Sequence, residues 1–195
     1  MSVGQKRVPG ATAADLLAIP AGERFYEIIG GEIIRKARPT GPHGLGQSQI
    51  VAHVGGPFNR RPGGRGPGGW WILTEVEIDL ETHEVYRPDV VGWRRERMPE
   101  VPQETPITLR PDWICEVLSH SNALHNLVKT MRGYHRASVP HYWIVDPDRE
   151  TLSVYRFTVD GYLMALMAEP GELVRAEPFG DVELDVGALF GDEQG

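Results

Sequence analysis

Residues 113–118, WICEVL, are apolar except for Glu116. An apolar run without alternation is the pattern of a strand covered on both faces, and therefore of one central to a sheet. It is followed by residues 121–137, in which Ala123, Leu124, Leu127, Val128, Met131 and Tyr134 recur at helical intervals behind Ser121 or Asn122 as a cap. Then comes a second apolar strand, His141-Tyr142-Trp143-Ile144-Val145, ended by Asp146 and Pro147. Strand, helix and strand in close order predict a crossover unit, which commits the chain to an α/β fold.

The flanking segments fill out that unit. Thr12 is placed to cap a short helix containing Ala14, Leu16, Leu17 and Ile19, with Asp15 in its first turn and Pro20 as its stop. Two strand-like runs, FYEII and EIIR, flank Gly30-Gly31, a pair that tolerates the positive φ of a tight hairpin turn. Leu45, Ile50, Val51 and Val54 predict a helix over 43–58, ended at Pro57, and residues 59–69, NRRPGGRGPGG, read as a loop. Residues 71–80, which alternate apolar and acidic side chains over their second half, read as one strand, and 85–93 form another, interrupted by Pro88. TLSVYRF, YLMALM and DVELDV are expected to finish the sheet as antiparallel strands. With 195 residues and 41% hydrophobic composition, the chain is long enough for one substantial core and short for two, so a single domain over 1–195, with its core at about 12–190, is expected.

Charge and cysteine content narrow the function classes. A net charge of −7 argues against non-specific grip on nucleic acid, which comes from Lys and Arg neutralising phosphates. The single cysteine, Cys115, has no internal partner and fits a reducing compartment, and no stretch approaches the roughly 20 apolar residues of a membrane span. Neither does the start, MSVGQKRVPG, carry the apolar core of a signal peptide, so a cytoplasmic location and no membrane partner are expected.

The chemistry-bearing residues are Asp89, at the head of Val90-Val91, and Glu116. A buried carboxylate costs several kcal/mol unless it is paired, hydrogen-bonded or bound to a metal. Two of them from neighbouring strands make an all-oxygen site suited to Mg²⁺ or Mn²⁺. The alternative, in which Asp89 caps a turn and Glu116 pairs with an arginine, is equally compatible with the spacing. His120, His125, His135 and His141 have no familiar zinc spacing and no accompanying cysteine pair. Arg60, Arg61, Arg65, Arg94, Arg95 and Arg97 are the concentrated positive charge, either phosphate contacts or solvated loop charges. The five tryptophans are read as packing residues.

Taken in order, the segments YEIIGGEII, GPHG, RPDVVGW, ICEVLSHS, GYHRASVPHYWIVDP and ELDVGALF resemble the Uma2 family of bacterial proteins, formerly a domain of unknown function, over about residues 12–190. The resemblance implies the restriction-endonuclease-like fold of the PD-(D/E)xK superfamily: a mixed sheet flanked by helices, with an N-terminal hairpin and C-terminal antiparallel strands. It also implies a metal-dependent endonuclease that hydrolyses nucleic-acid phosphodiester bonds, with DNA ranked ahead of RNA and a homodimer compatible with cutting two strands. Asp89 and Glu116 match the metal-holding acids. The lysine usually two residues beyond the glutamate is absent, Leu118 standing there, and the family's substitute in the next helix falls on Thr130, between Asn126 and Tyr134. Lys129 is the neighbouring candidate for the catalytic base, although one residue turns a helix by about 100°. His43 and Glu32 match substrate-side positions, and Glu27 and Glu32 match acids of the family's hairpin that approach the metal, with the turn register deciding whether one or both point inward. Loss of the helix lysine leaves open a second reading, a catalytically weakened relative that binds nucleic acid or a protein partner through the same cleft.

Overall fold

The computed structural model describes residues 10–119 and 123–192, apart from the side chains of 123–126. Helix α1 (Ala13–Leu17) is capped at Thr12, whose backbone N–H and hydroxyl both donate to the Asp15 carboxylate, at 2.8 and 2.9 Å. Strands β1 (Tyr26–Ile29) and β2 (Glu32–Arg35) form the expected hairpin, with Gly30 and Gly31 at φ +58° and +75°. Both values are positive, as the type I′ turn requires. Thr40 caps α2 (Gly41–Ile50), accepting from the His43 N–H, and the helix runs on through a π-helical turn (Val51–Gly55) into α3 (Gly56–Phe58).

Six strands make the main sheet: β3 (Trp70–Thr74), β6 (Val90–Arg94), β7 (Trp113–Val117), β8 (His141–Asp146), β9 (Thr151–Thr158) and β10 (Gly161–Ala168). Their order is β10-β9-β8-β7-β6-β3, with β7 and β8 parallel and every other neighbouring pair antiparallel. The parallel pair is joined by α4 (Ala123–Arg136), so the crossover unit sits at the centre of the sheet. The result is a mixed α/β sheet with helices on its faces.

Alternation along β7 and β8 divides the core. Trp113, Cys115, Val117, Trp143 and Val145 point to the face covered by Ile50, Val54 and Phe58 of the 41–58 helical run and by Phe179, Val186 and Leu189. Ile114, Tyr142 and Ile144 point to the other face, with Tyr134 of α4 and Ile29 and Ile34 of the hairpin. Each such large apolar side chain stabilises the fold by roughly 1.5–3 kcal/mol when fully buried.

Three expectations change. Residues 71–80 are not one strand: β3 ends at Thr74, Glu75 takes a left-handed backbone (φ +56°), and the chain leaves for β4 (Ile78–Glu81) of a second sheet. Residues 85–93 split likewise into β5 (Glu84–Tyr86) and β6, because Pro88 has no N–H to continue a ladder. That second sheet has the order β2-β1-β5-β4 and carries the hairpin against α4. DVELDV does not extend the main sheet; Leu184–Asp185 (β12) pairs only with Leu173–Val174 (β11), and burying Leu184, Val186 and Phe179 over the tryptophan face is what holds this segment. Among the described residues, no helix is long and apolar enough to cross a membrane.

Candidate active site

The β6–β7 register pairs Val90 with Cys115 and Val91 with Ile114. Continued by one residue, it sets Asp89 beside Glu116, and period-two alternation points both to the face that carries Val91, Ile114 and α4. Asp89 is 1% exposed. Its Oδ2 accepts from the Val117 N–H at 2.7 Å and lies 3.2 Å from His43 Nε2, while its Oδ1 is 2.8 Å from the ammonium of Lys36. Gln47 of α2 donates to the Asp89 carbonyl at 2.8 Å. Glu116 Oε1 accepts from the Tyr134 hydroxyl at 2.7 Å, and Glu27 Oε1 from the Arg87 N–H at 2.8 Å. Lys36 also donates to the Arg87 carbonyl and approaches Glu75 at 3.4 Å.

Together Glu27, Lys36, Arg38, His43, Asp89 and Glu116 line a cavity of about 120 Å³, closed on the α4 side by Leu127 and Thr130. Three carboxylates thus share it with one buried ammonium. The electrostatics follow from that imbalance. Burial and then the Asp89 charge push the Glu116 carboxyl well up, and burial raises Glu27 against the pull of the Lys36 ammonium. Burial would also raise Asp89, but the Lys36 ammonium and the His43 hydrogen bond outweigh it and hold the carboxyl well below its usual range. Burial pulls the Lys36 ammonium down, yet Asp89, Glu116, Glu27 and Glu75 together keep it above its ordinary value. The site therefore holds a firmly ionised Asp89–Lys36 pair beside two acids that resist ionisation, the arrangement in which pKa values diverge at functional sites.

A family model described as "Putative restriction endonuclease", Uma2, matches residues 13–187. The chain belongs to the Uma2 family. A solved structure from Anabaena variabilis, titled a "putative nuclease", is 24% identical and covers 92% of this chain and 97% of its own, with a TM-score of 0.74. That likeness shows a shared fold. No curated protein matches the chain.

Within this Uma2 chain, the expected residues separate. Asp89, Glu116 and His43 meet in the cavity. Lys129 does not join them: it pairs with Glu32 at 3.4 Å, both partly exposed, and neither lines the cavity. The helix rotation between Thr130 and Lys129 is the reason, since Thr130, buried, is the α4 residue that faces the acids. The two-residue turn puts Glu27 and Glu32 on one face of the hairpin but at opposite ends of it, so Glu27 reaches the cavity and Glu32 reaches Lys129. Arg94 lies five residues from Asp89 along β6, about 16 Å away by strand rise. Arg94 and Arg95 stack on Trp70 and Trp71 there, Arg97 pairs with Asp112, and the 59–69 loop enters at the same end, so these arginines do not flank the carboxylates. His135 donates from Nε2 to the Thr158 carbonyl at 2.8 Å and stacks on Phe157, a packing role. His120 and the side chain of His125 lie outside the described residues, and among the described ones no group of three or more His, Cys, Asp or Glu is arranged to hold a metal.

Lys36 is the residue that sequence reasoning passed over. The signal was present: with Glu27 opposite Ile34, alternation puts Lys36 on the same face as Glu27.

Proposed function

We propose that this cavity hydrolyses phosphodiester bonds of nucleic acid, DNA ahead of RNA, as a PD-(D/E)xK-type endonuclease in which Lys36 supplies the cation. The observation that carries the reading is the buried Asp89–Lys36 pair beside Glu116 in a cavity with a surplus of carboxylates. Asp89 and Glu116, with Glu27 behind them, would hold Mg²⁺ or Mn²⁺. That donor set fits: Mg²⁺ takes one or two carboxylates and fills the rest of its octahedron with water and substrate phosphate, so three clustered acids are not required. When bound, the ion supplies Lewis acidity and lowers the pKa of water.

The chain's own residues do the rest. His43 and the Val117 N–H fix Asp89 by its Oδ2, and Gln47 fixes the backbone beneath it. Tyr134 orients Glu116 through one oxygen. Lys36, on a flexible stem, moves from Asp89 Oδ1 onto the scissile phosphate and steadies the negative charge that develops there. Leu127 and Val117 keep the walls apolar, which strengthens those charges. A cytoplasmic setting suits the buried thiol of Cys115, and a homodimer would address both strands of a duplex.

One observation favours the second reading, a binding protein without catalysis: both oxygens of Asp89 are already engaged by Lys36, His43 and Val117. Melting in the presence of Mg²⁺ or Mn²⁺ separates the two. An ion bound only by the native state raises the melting temperature, and Asp89→Ala is expected to abolish the rise along with cleavage of a nucleic-acid panel. A native protein indifferent to both ions would sink the enzyme reading.

The metal effect should also depend on pH. Glu116 and Glu27 have folded pKa values above their unfolded ones, so the metal-free native state binds more protons and loses stability as pH rises through those values. A cation displaces those protons. The Mg²⁺-induced rise in melting temperature is therefore expected to grow from pH ~5 to ~8. Asp89 acts oppositely and only in acid: its contribution is present above pH ~3.9 and is lost as pH falls through its lowered value.

A further inference from the structure

Lys129, left out of the cavity, stands in a row on the outer side of α4. Residues 129, 132 and 136 are three and four apart and so share a helix face. All three are cationic in a chain whose net charge is −7. The same helix lines two cavities in succession. Leu127 and Thr130 border the carboxylate cavity, and Met131, Arg132, His135 and Arg136 border a second of about 440 Å³, with Tyr162 and one carboxylate, Asp160, across from these three basic side chains. Arg38, exposed, stands on the lip of the first.

We infer that Arg38, Lys129 and Arg132 form a track for the phosphates of the strand being cut, leading from the carboxylate cavity along α4 to the second cavity. This rests on the nuclease reading above and names how the substrate lies. Lys129 to Arg132 spans about 4.5 Å at the helical rise, and one strand of duplex presents a charge every ~3.4 Å along its axis, so the two cations meet two successive phosphates. The existing acid partners do not block it. The Lys129–Glu32 pair at 3.4 Å is between two side chains about one-third exposed, and such surface pairs hold weakly, so the ammonium exchanges Glu32 for a phosphate readily. Arg136 is different: it is tied to Glu84, which is buried, and it anchors the end of the row instead of contacting substrate. The arrangement also answers the unfavourable total charge, because the carboxylates repel a phosphate backbone unless cations border them.

The test is binding of a short DNA duplex by the full chain, with chelator present to stop cleavage, read by fluorescence anisotropy across a salt series. Lys129→Ala with Arg132→Ala is expected to weaken binding about tenfold and to flatten the slope of log affinity against log salt by about 1.8, two phosphates at ~0.9 each. The pair Arg60→Ala and Arg61→Ala, at the opposite end of the sheet, should leave the slope unchanged. In metal, the first pair should raise KM and spare kcat. An unchanged slope in the α4 variant, or equal flattening in the loop variant, overturns the track and leaves the nuclease reading standing. Failure of the native chain to bind any nucleic acid at low salt overturns both.

Discussion

Replacing Lys36 by methionine is expected to lower the rate of nucleic-acid cleavage by about 10²–10³, the cost of losing one preorganised donor at a developing charge. Lys129→Met should stay near the native rate at saturating substrate. The contrast follows from position: the Lys36 ammonium is 2.8 Å from Asp89 inside the cavity, whereas Lys129 is held outside it by Glu32. Metal binding should survive in Lys36→Met, and the Mg²⁺-induced melting shift should be at least as large as in the native chain, because a like charge has left the site. The stability cost is that of breaking a buried pair, about 3 kcal/mol, reduced by protons that Glu27 and Glu116 take up in the lysine's absence. Since the Lys36 pKa is raised, its contribution is fully present below pH ~10.4 and is lost only as pH rises through the folded value, so the difference between the two proteins should be flat through neutrality. Initial rates measured below both melting temperatures decide the matter. A dead Lys129→Met beside an active Lys36→Met would reverse the assignment.

Gly133→Ala should be strongly destabilising although it lies outside the cavity. In an exposed helix that change gains up to about 1 kcal/mol of propensity. Here a β-carbon at residue 133 would lie 1.7 Å from the Tyr86 hydroxyl oxygen and 2.7 Å from its Cζ. Tyr86 cannot yield easily, since it is fully buried, donates to Glu84 at 2.5 Å and packs against Tyr134 with ring centroids 4.7 Å apart. Overpacking of this kind costs about 3 kcal/mol, or roughly 6–12 °C in melting temperature for a chain of this size. Tyr86→Phe should not restore stability, because the ring carbon still overlaps. The damage should reach the site as well: Tyr134 is the group that orients Glu116, so kcat should fall in whatever folded protein remains. Thermal melts of Gly133→Ala and of the double variant check this, and a stabilised Gly133→Ala would refute the packing account.

Much of the fold was legible because it depends on local periodicity. The unbroken apolar run at 113–118, the stripe on 121–137 and the strand at 141–145 specify the crossover unit without reference to anything distant, and Gly30-Gly31 specifies the hairpin through its own backbone. The breaks at Glu75 and at Pro88 were less visible. The alternation of 75–80 begins at Glu75 with no turn residue to mark it, and although Pro88 interrupts the 85–93 run, only the division of the chain between two sheets, which is a long-range packing outcome, shows that each run is two strands.

The carboxylates of the candidate site could be read for the same reason as the strands: a charge inside an apolar run demands compensation, and Asp89 and Glu116 announce themselves by the cost of burying them. What compensates them is not a local property. Lys36 comes from a hairpin some fifty residues before Asp89 in sequence order and meets it only because the second sheet packs on α4, while Lys129, nearer to Glu116 in the chain, is rotated away by one helical step. Residue type and spacing determined which acids are buried; three-dimensional packing decided which cation reaches them, because a side chain's partner is fixed by distance in space and not along the chain.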